Sequence, residues 1–228
     1  MFFTSARLSF MKKLIALLLL FISMFAHAAN IVTDIPVTPD AGKTYVFYLH
    51  GRIIEDSGPR PIDTRFGLYD YPAVLDTLAS KGAVVISAQR RSNTDVNEYA
   101  GVVVGQIERL IRAGVPESHI VVIGFSKGGN IAIHVSSFLR RKDVRFILLA
   151  ACYNHAEEGY LRLSGHVFSV IETSDTLAGM SCKPYSDYPE HPETFEEIRI
   201  STGKSHGAFY LPQADWVQPV LKWVHGNP

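Results

Sequence analysis

The chain has 228 residues, 47% of them hydrophobic, and its 22 basic side chains are balanced by 22 acidic ones. This length and composition are typical of a globular protein with a substantial core. The absence of a basic excess argues against a nucleic-acid partner and against attraction to an anionic membrane surface.

The first 28 residues have the pattern of a secretory signal peptide. Lys12 and Lys13 precede an apolar run over 14–25, and Ala26-His27-Ala28 supplies small residues at the first and third positions of a cleavage site. The apolar run is shorter than the roughly 20 residues that a bilayer span needs. We therefore predict a cleaved signal over 1–28 and no stable membrane insertion afterwards, with a retained anchor as the alternative.

The mature chain is expected to be one exported domain over 29–228, periplasmic or secreted. Removal of the signal takes away three basic side chains and no acidic one, so 19 basic and 22 acidic side chains leave a formal charge of −3. Translation starts at Met1 or at Met11, since residues 1–10 add little to the signal pattern.

Apolar, β-branched stretches alternate with helical patterns along the mature chain. Taken in order, we predict a strand over 44–49, a helix over 71–80, a strand over 83–87, a helix over 95–112, a strand over 119–123, a helix from about 129 to 140, strands over 145–151, 166–171 and 196–200, and a last helix over 213–224. This alternation predicts an α/β protein with a mostly parallel central sheet and helices on both faces. Ligand chemistry in such sheets lies at the carboxyl ends of the strands.

A tight turn with a serine at its apex follows the strand over 119–123. The turn is Gly124-Phe125-Ser126-Lys127-Gly128, a G-x-S-x-G pattern between a strand and a helix. Glycine is needed at Gly124 and Gly128 because a Cβ there would clash in the turn that lifts the serine hydroxyl clear of the sheet edge. Ser126 is therefore the candidate nucleophile.

A serine nucleophile needs a general base, and the base needs a third group to orient it. His206 follows the strand over 196–200 and Asp175 follows the strand over 166–171, so both fall at the same sheet edge as Ser126. We predict a triad of Ser126, Asp175 and His206. Glu172 follows the same strand as Asp175 and is the alternative acid.

Residues 44–225 resemble a small single-domain α/β-hydrolase of the carboxylesterase or dienelactone-hydrolase-like type. The glycine-flanked turn, the chain order of the triad and His50-Gly51 directly after the first strand carry the resemblance. It implies an oxyanion hole formed by the backbone N–H groups of Arg52 and Lys127. Many members of this fold insert a cap after the strand that follows the serine turn, but only residues 152–165 separate the two strands here, so we expect no cap domain.

The resemblance implies an exported serine hydrolase that cleaves small-molecule carboxylic esters through an acyl-enzyme, without a cofactor. Two alternatives stay open. A peptidase or acyltransferase would use the same triad, and a hydrolase-fold protein without activity would serve as a binding protein.

The remaining expectations concern the cysteines and the mouth of the site. Cys152 and Cys182 are a candidate disulfide in an oxidising compartment, or else two buried thiols. Their spacing is not that of a zinc site, so we predict no metal. We expect the segments 52–66 and 183–189, with Tyr153 and Tyr160, to line the mouth, and the Lys127 side chain to reach solvent.

Overall fold

The computed structural model describes residues 30–153, 161–187 and 192–226. The predicted signal peptide over 1–28 lies outside these residues. The strands of the described part, in chain order, are β1 (Ile31–Val32), β2 (Tyr45–Leu49), β3 (Ile62–Asp63), β4 (Gly67–Leu68), β5 (Val84–Ile86), β6 (Ile120–Phe125), β7 (Arg145–Leu149), β8 (His166–Glu172) and β9 (Thr194–Ile200).

Seven of these strands form one sheet in the order β1-β5-β2-β6-β7-β8-β9, and every neighbouring pair is parallel. The strands β3 and β4 form a separate antiparallel hairpin. Because all seven strands run the same way, their carboxyl ends lie along one edge. The loops that follow β2, β6, β8 and β9 therefore share that edge.

The helices are α1 (Arg52–Ser57), α2 (Tyr71–Ala79), α3 (Val96–Arg112), α4 (Lys127–Leu139) and α5 (Ala214–His225). Helix α3 shows why these segments are helical: the Asp95 carboxylate accepts the Glu98 N–H at 2.9 Å, and its buried residues recur at helical spacing. They are Ala100, Val103, Ile107 and Leu110.

Each face of the sheet is covered by two helices. In β2, Val46 and Tyr48 enter the core beneath α2 and α5, while Tyr45 and Phe47 enter the core beneath α3 and α4. Near-continuous apolar strands are what a sheet buried on both faces requires. The predicted fold class, a mostly parallel sheet with helices on both faces, is confirmed.

A buried arginine joins the last helix to the sheet. Arg145, at the start of β7, donates Nη1–H to the carbonyl oxygens of Trp223 at 2.8 Å, Val224 at 3.2 Å and Gly226 at 2.8 Å, and its Nη2 contacts the Ser118 carbonyl. Burial lowers the pKa of Arg145. The guanidinium therefore caps the carboxyl end of α5, whose orphan carbonyls would otherwise be buried without partners.

Two features of the described chain differ from the predictions. Helix α1 and the hairpin β3–β4 lie in 52–68, where no helix or strand was predicted, and the edge strand β1 was not predicted either. The described residues of the segment 152–165 contain no helix that could belong to a cap. None of the helices in the described ranges has both the length and the apolar character needed to cross a membrane.

Candidate active site

The turn between β6 and α4 places Ser126 at a strained apex. Its φ is 54° and its ψ is −121°, outside the helical and extended regions that L-residues prefer. A Cβ at Gly124 would lie 2.6 Å from the Gly129 Cα, and one at Gly128 would lie 2.7 Å from the His50 carbonyl oxygen. Both glycines are therefore required by backbone packing around the turn.

Three predicted residues meet at the carboxyl edge of the sheet. Ser126 Oγ lies 2.8 Å from Nε2 of His206, and Nδ1 of His206 lies 2.7 Å from Oδ2 of Asp175. His206 belongs to a short 3-10 helix, Ser205–Phe209, after β9, and Asp175 follows β8. The structure thus brings the predicted nucleophile, base and acid into one chain of hydrogen bonds.

The second carboxylate oxygen of Asp175 is held by the backbone. Oδ1 accepts the N–H of Leu177 at 2.8 Å and the N–H of Ala178 at 3.2 Å. Burial raises the pKa of Asp175, but the hydrogen bond and charge of His206 and the two N–H donors outweigh it, so the pKa is lowered overall. An ionised Asp175 fixes the ring of His206 with Nδ1 as the proton donor.

Glu172, the alternative acid, has other partners. Its buried carboxylate accepts the hydroxyl of Ser174 at 2.6 Å and the N–H of Gly203 at 3.0 Å. Burial raises the pKa of Glu172, but these hydrogen bonds, with a further one from Thr202, lower it overall. Glu172 therefore braces the loops after β8 and β9, and Asp175 is the acid that contacts His206.

The predicted oxyanion donors belong to the two segments that adjoin the serine. A Cβ at Gly51 would lie 3.7 Å from the Ser126 Cβ, so the end of β2 passes directly beside the turn. Arg52 begins α1 and Lys127 begins α4. The N–H groups of a first helical turn have no acceptor within the helix. Both N–H groups are therefore free to serve an acceptor near Ser126.

The side chain of Lys127 does not simply reach solvent, and that expectation is wrong. Nζ of Lys127 lies 2.7 Å from Oε2 of Glu55, and Oε1 of Glu55 accepts Nε–H of Arg90 at 2.8 Å. The Glu55 side chain is fully buried, which is rare for a glutamate unless it is paired. No sequence pattern links these residues, because they come from three segments of the chain.

His50 joins the same cluster through its neutral ring. Its Nε2 accepts the backbone N–H of Arg90 at 3.0 Å, and its Nδ1–H donates to the Gly51 carbonyl at 2.9 Å. Burial lowers the pKa of His50 to about 3, and the charges of Arg90 and Lys127 add to the lowering. His50 therefore fixes the loop after β2.

A cavity of about 360 Å³ opens beside Ser126. Its lining combines apolar and charged side chains from the segments 51–66, 125–126 and the loops after β8 and β9: Gly51, Arg52, Ile53, Asp56, Ser57, Asp63, Arg65, Phe66, Phe125, Ser126, Leu177, His206 and Tyr210. The arginines of the mouth are paired locally, Arg52 with Asp56 and Arg65 with Asp63, each at 3.5 Å. The described residues contain no cluster of His, Cys, Asp or Glu that could hold a metal ion.

The segment 183–189 does not line this cavity within its described residues. Tyr185 is buried in the core beneath α3 and α4, and Tyr153 accepts a hydrogen bond from Asn130 at 3.0 Å. The predicted wall is wrong for these two tyrosines: Tyr185 packs on the other face of the sheet, and Tyr153 is absent from the lining of the cavity. Residues 188–189 and Tyr160 lie outside the described residues.

A disulfide accounts for this placement. Cys152 and Cys182 are bonded, with Cα atoms 5.3 Å apart and a sequence separation of 30. Cys152 follows β7, and its carbonyl accepts the N–H of Met180 at 3.3 Å. The bond therefore closes the loop that carries Asp175.

Comparison with known proteins identifies the fold. No protein-family model matches the chain, and no curated protein matches it in sequence. Solved structures do match: an esterase/lipase from an uncultured bacterium has a TM-score of 0.54 at 14% identity, over 82% of this chain and 76% of that one. MGS-M1, an alpha/beta hydrolase enzyme from a deep-sea metagenome library of the Medee basin, has a TM-score of 0.51 at 13% identity, over 81% and 84%. SOBER1 of Arabidopsis thaliana has a TM-score of 0.51 at 12% identity, over 80% and 98%.

Proposed function

We propose that this protein, which has the α/β-hydrolase fold, is a serine hydrolase that cleaves carboxylic esters through an acyl-enzyme. The hydrogen-bonded chain from Ser126 through His206 to Asp175 carries the proposal. Ser126, at one end of these hydrogen bonds, lies beside a cavity at the carboxyl edge of a parallel sheet, where ligands of such sheets bind.

In the first half of the reaction, Ser126 Oγ attacks the ester carbonyl while His206 Nε2 takes its proton. Asp175 holds the Nδ1–H of His206 and stabilises the imidazolium that forms. The N–H groups of Arg52 and Lys127 donate to the oxyanion, a kind of interaction whose loss costs about 100- to 1000-fold in kcat. His206 then gives its proton to the leaving alcohol.

In the second half, His206 takes a proton from water, and the hydroxide attacks the acyl carbonyl on Ser126. The proton returns to Ser126 Oγ as the carboxylic acid leaves. The cavity presents Phe66, Phe125 and Leu177 beside charged side chains that are already paired. This lining suits the uncharged acyl group of a small-molecule ester.

We also infer that the protein acts after export, as a single domain over 29–228. The signal pattern over 1–28 and the disulfide between Cys152 and Cys182 support export, because disulfides persist in oxidising compartments. The proposal holds equally for a periplasmic and a secreted protein.

One experiment tests the proposal directly. A fluorophosphonate probe should label the purified protein, and Ser126→Ala should abolish both labelling and hydrolysis of p-nitrophenyl acetate, with a loss in kcat of at least about 1000-fold. The far-ultraviolet circular dichroism of the variant should match the wild type. Retained hydrolysis in Ser126→Ala would refute the triad.

A substrate panel separates the alternatives. p-Nitrophenyl esters of rising chain length should be cleaved and matched anilides should not. Preferential cleavage of anilides would favour a peptidase, and acyl transfer to added alcohol or amine in place of water would favour an acyltransferase. A wild-type protein without labelling or turnover would favour a binding protein.

A further inference from the structure

Glu55 is a buried carboxylate that the proposed reaction does not use. Its side chain has no exposed surface, and it lies between two cations, Arg90 at 2.8 Å and Lys127 at 2.7 Å. Burying a charge costs several kcal/mol unless it is well paired. A fully buried glutamate does not contribute to solubility, so its presence beside the serine turn needs another explanation.

The contacts of Glu55 join both sides of the predicted oxyanion hole. Glu55 belongs to α1, which begins with Arg52, the first predicted N–H donor. Its ionic partner is the side chain of Lys127, whose own N–H is the second predicted donor. One carboxylate thus links the two backbone segments that would have to stay at a fixed separation around the oxyanion.

Helix α1 depends on such links for its position. It has six residues and no side-chain hydrogen bond at its N-cap, so it is too short to be stable alone. Residues after β5 hold its far end: Gln89 Nε2–H donates to the Ile54 carbonyl at 3.1 Å, and the Ser92 hydroxyl donates to the Glu55 carbonyl at 3.2 Å. The bond from Glu55 to Lys127 connects α1 directly to the residue that follows the serine.

We infer that Glu55 is a positioning residue that holds the N–H groups of Arg52 and Lys127 at the spacing that the oxyanion requires. The inference rests on the proposed serine hydrolase function. In this inference Glu55 acts through position, because its ionic link to Lys127 fixes the spacing of the two N–H groups. The formal net charge of +1 on the cluster of Glu55, Arg90 and Lys127 is the electrostatic alternative that has to be tested.

Substitutions distinguish position from charge because they change the cluster in opposite directions. Glu55→Gln breaks the ionic link and raises the cluster charge by one, whereas Lys127→Met breaks the same link and lowers it by one. A positioning role predicts that both variants lose activity. A purely electrostatic role predicts effects of opposite sign.

The experiment measures kcat and KM for p-nitrophenyl acetate and the affinity for a trifluoromethyl ketone, whose adduct with a serine mimics the oxyanion. We expect kcat to fall about 10- to 100-fold in both variants, with KM near the wild-type value, because misplacement by about 1 Å costs on that order. The ketone affinity should fall by the same factor as kcat. Lys127→Arg, which keeps the link, should recover most of the kcat that Lys127→Met loses.

Glu108→Gln is the matched control, because it breaks an ion pair with Arg141 that lies at 2.9 Å and away from the cavity. Its kcat should stay at the wild-type value. If Glu55→Gln does not fold, the Lys127 variants decide, since that side chain is partly exposed. Wild-type kcat and ketone affinity in Lys127→Met, or opposite effects in the two variants, would overturn the inference. A wild-type protein that no fluorophosphonate labels would overturn the proposed function and this inference with it.

Discussion

Replacement of Gly128 by alanine tests whether the close approach of β2 to the serine turn sets the geometry of the site. A Cβ at this position would overlap the Leu49 carbonyl oxygen and lie 2.7 Å from the His50 carbonyl oxygen, whereas ordinary contacts begin at 3.4 Å. Both atoms belong to the backbone at the end of β2, so no side-chain rotation can relieve the clash.

The size of the effect follows from the displacement. The end of β2 and the turn have to separate by on the order of 1 Å, which moves the N–H of Arg52 away from the N–H of Lys127. We expect Gly128→Ala to lower kcat for p-nitrophenyl acetate about 100-fold. Overpacking should lower the free energy of unfolding by about 1–3 kcal/mol.

Gly105→Ala provides the matched control. Gly105 lies within α3, and a Cβ there would have no neighbour within 4 Å. Alanine favours a helix interior by roughly 0.5–1 kcal/mol over glycine, so this variant should be more stable and fully active. Urea unfolding and steady-state kinetics on both variants decide the matter. Wild-type kcat in Gly128→Ala would refute the argument.

The other predictions concern the acid, the pH dependence and the disulfide. Asp175→Asn should lower kcat by about 10,000-fold while Glu172→Gln stays active, and the reverse result would exchange their roles. Because the pKa of His50 is about 3 in the folded protein and near 6.5 in an unfolded chain, the unfolded state binds the extra proton between these values. The free energy of unfolding should therefore fall as pH drops below about 6.5, by up to about 1.4 kcal/mol per pH unit from this residue, and urea unfolding of His50→Gln should show a shallower slope. Reduction of the bond between Cys152 and Cys182 should lower the free energy of unfolding by about 3–4 kcal/mol for its sequence separation of 30. We also expect kcat to fall before the protein unfolds, because the bond closes the loop that carries Asp175. An unchanged kcat after reduction would show that the bond does not position Asp175.

The long periodic elements could be predicted from the sequence because their buried positions are occupied by apolar residues at the spacing of a helix or a strand. Helix α3 was expected over 95–112 and spans Val96–Arg112, and β8 was expected over 166–171 and spans His166–Glu172. Helix α1 was missed because its six residues, Arg52–Ser57, are too few to show a period, and tertiary contacts hold them.

The meeting of Ser126, Asp175 and His206 could be predicted because the parallel sheet aligns the ends of its strands. Ser126, Asp175 and His206 each follow a strand, so their order along the chain was sufficient to expect their meeting. The link from Glu55 to Lys127 could not be predicted, since it depends on where a short helix packs. The predicted position of Tyr185 was wrong for a related reason: its segment is tethered by the disulfide and packs on the face of the sheet that α3 and α4 cover.

The junction between Arg145 and α5 has a consequence for how the chain is made. Among the described elements α5 is synthesised after all the others and after His206, so a growing chain holds Ser126 and Asp175 before it holds the proposed base of Ser126. Before α5 is synthesised, the Arg145 guanidinium lacks the carbonyl groups of this helix as hydrogen-bond acceptors. The apolar surface that α5 covers also stays exposed. Closure of this part of the core therefore requires α5, and the meeting of Ser126, Asp175 and His206 requires a segment that is synthesised only shortly before that helix.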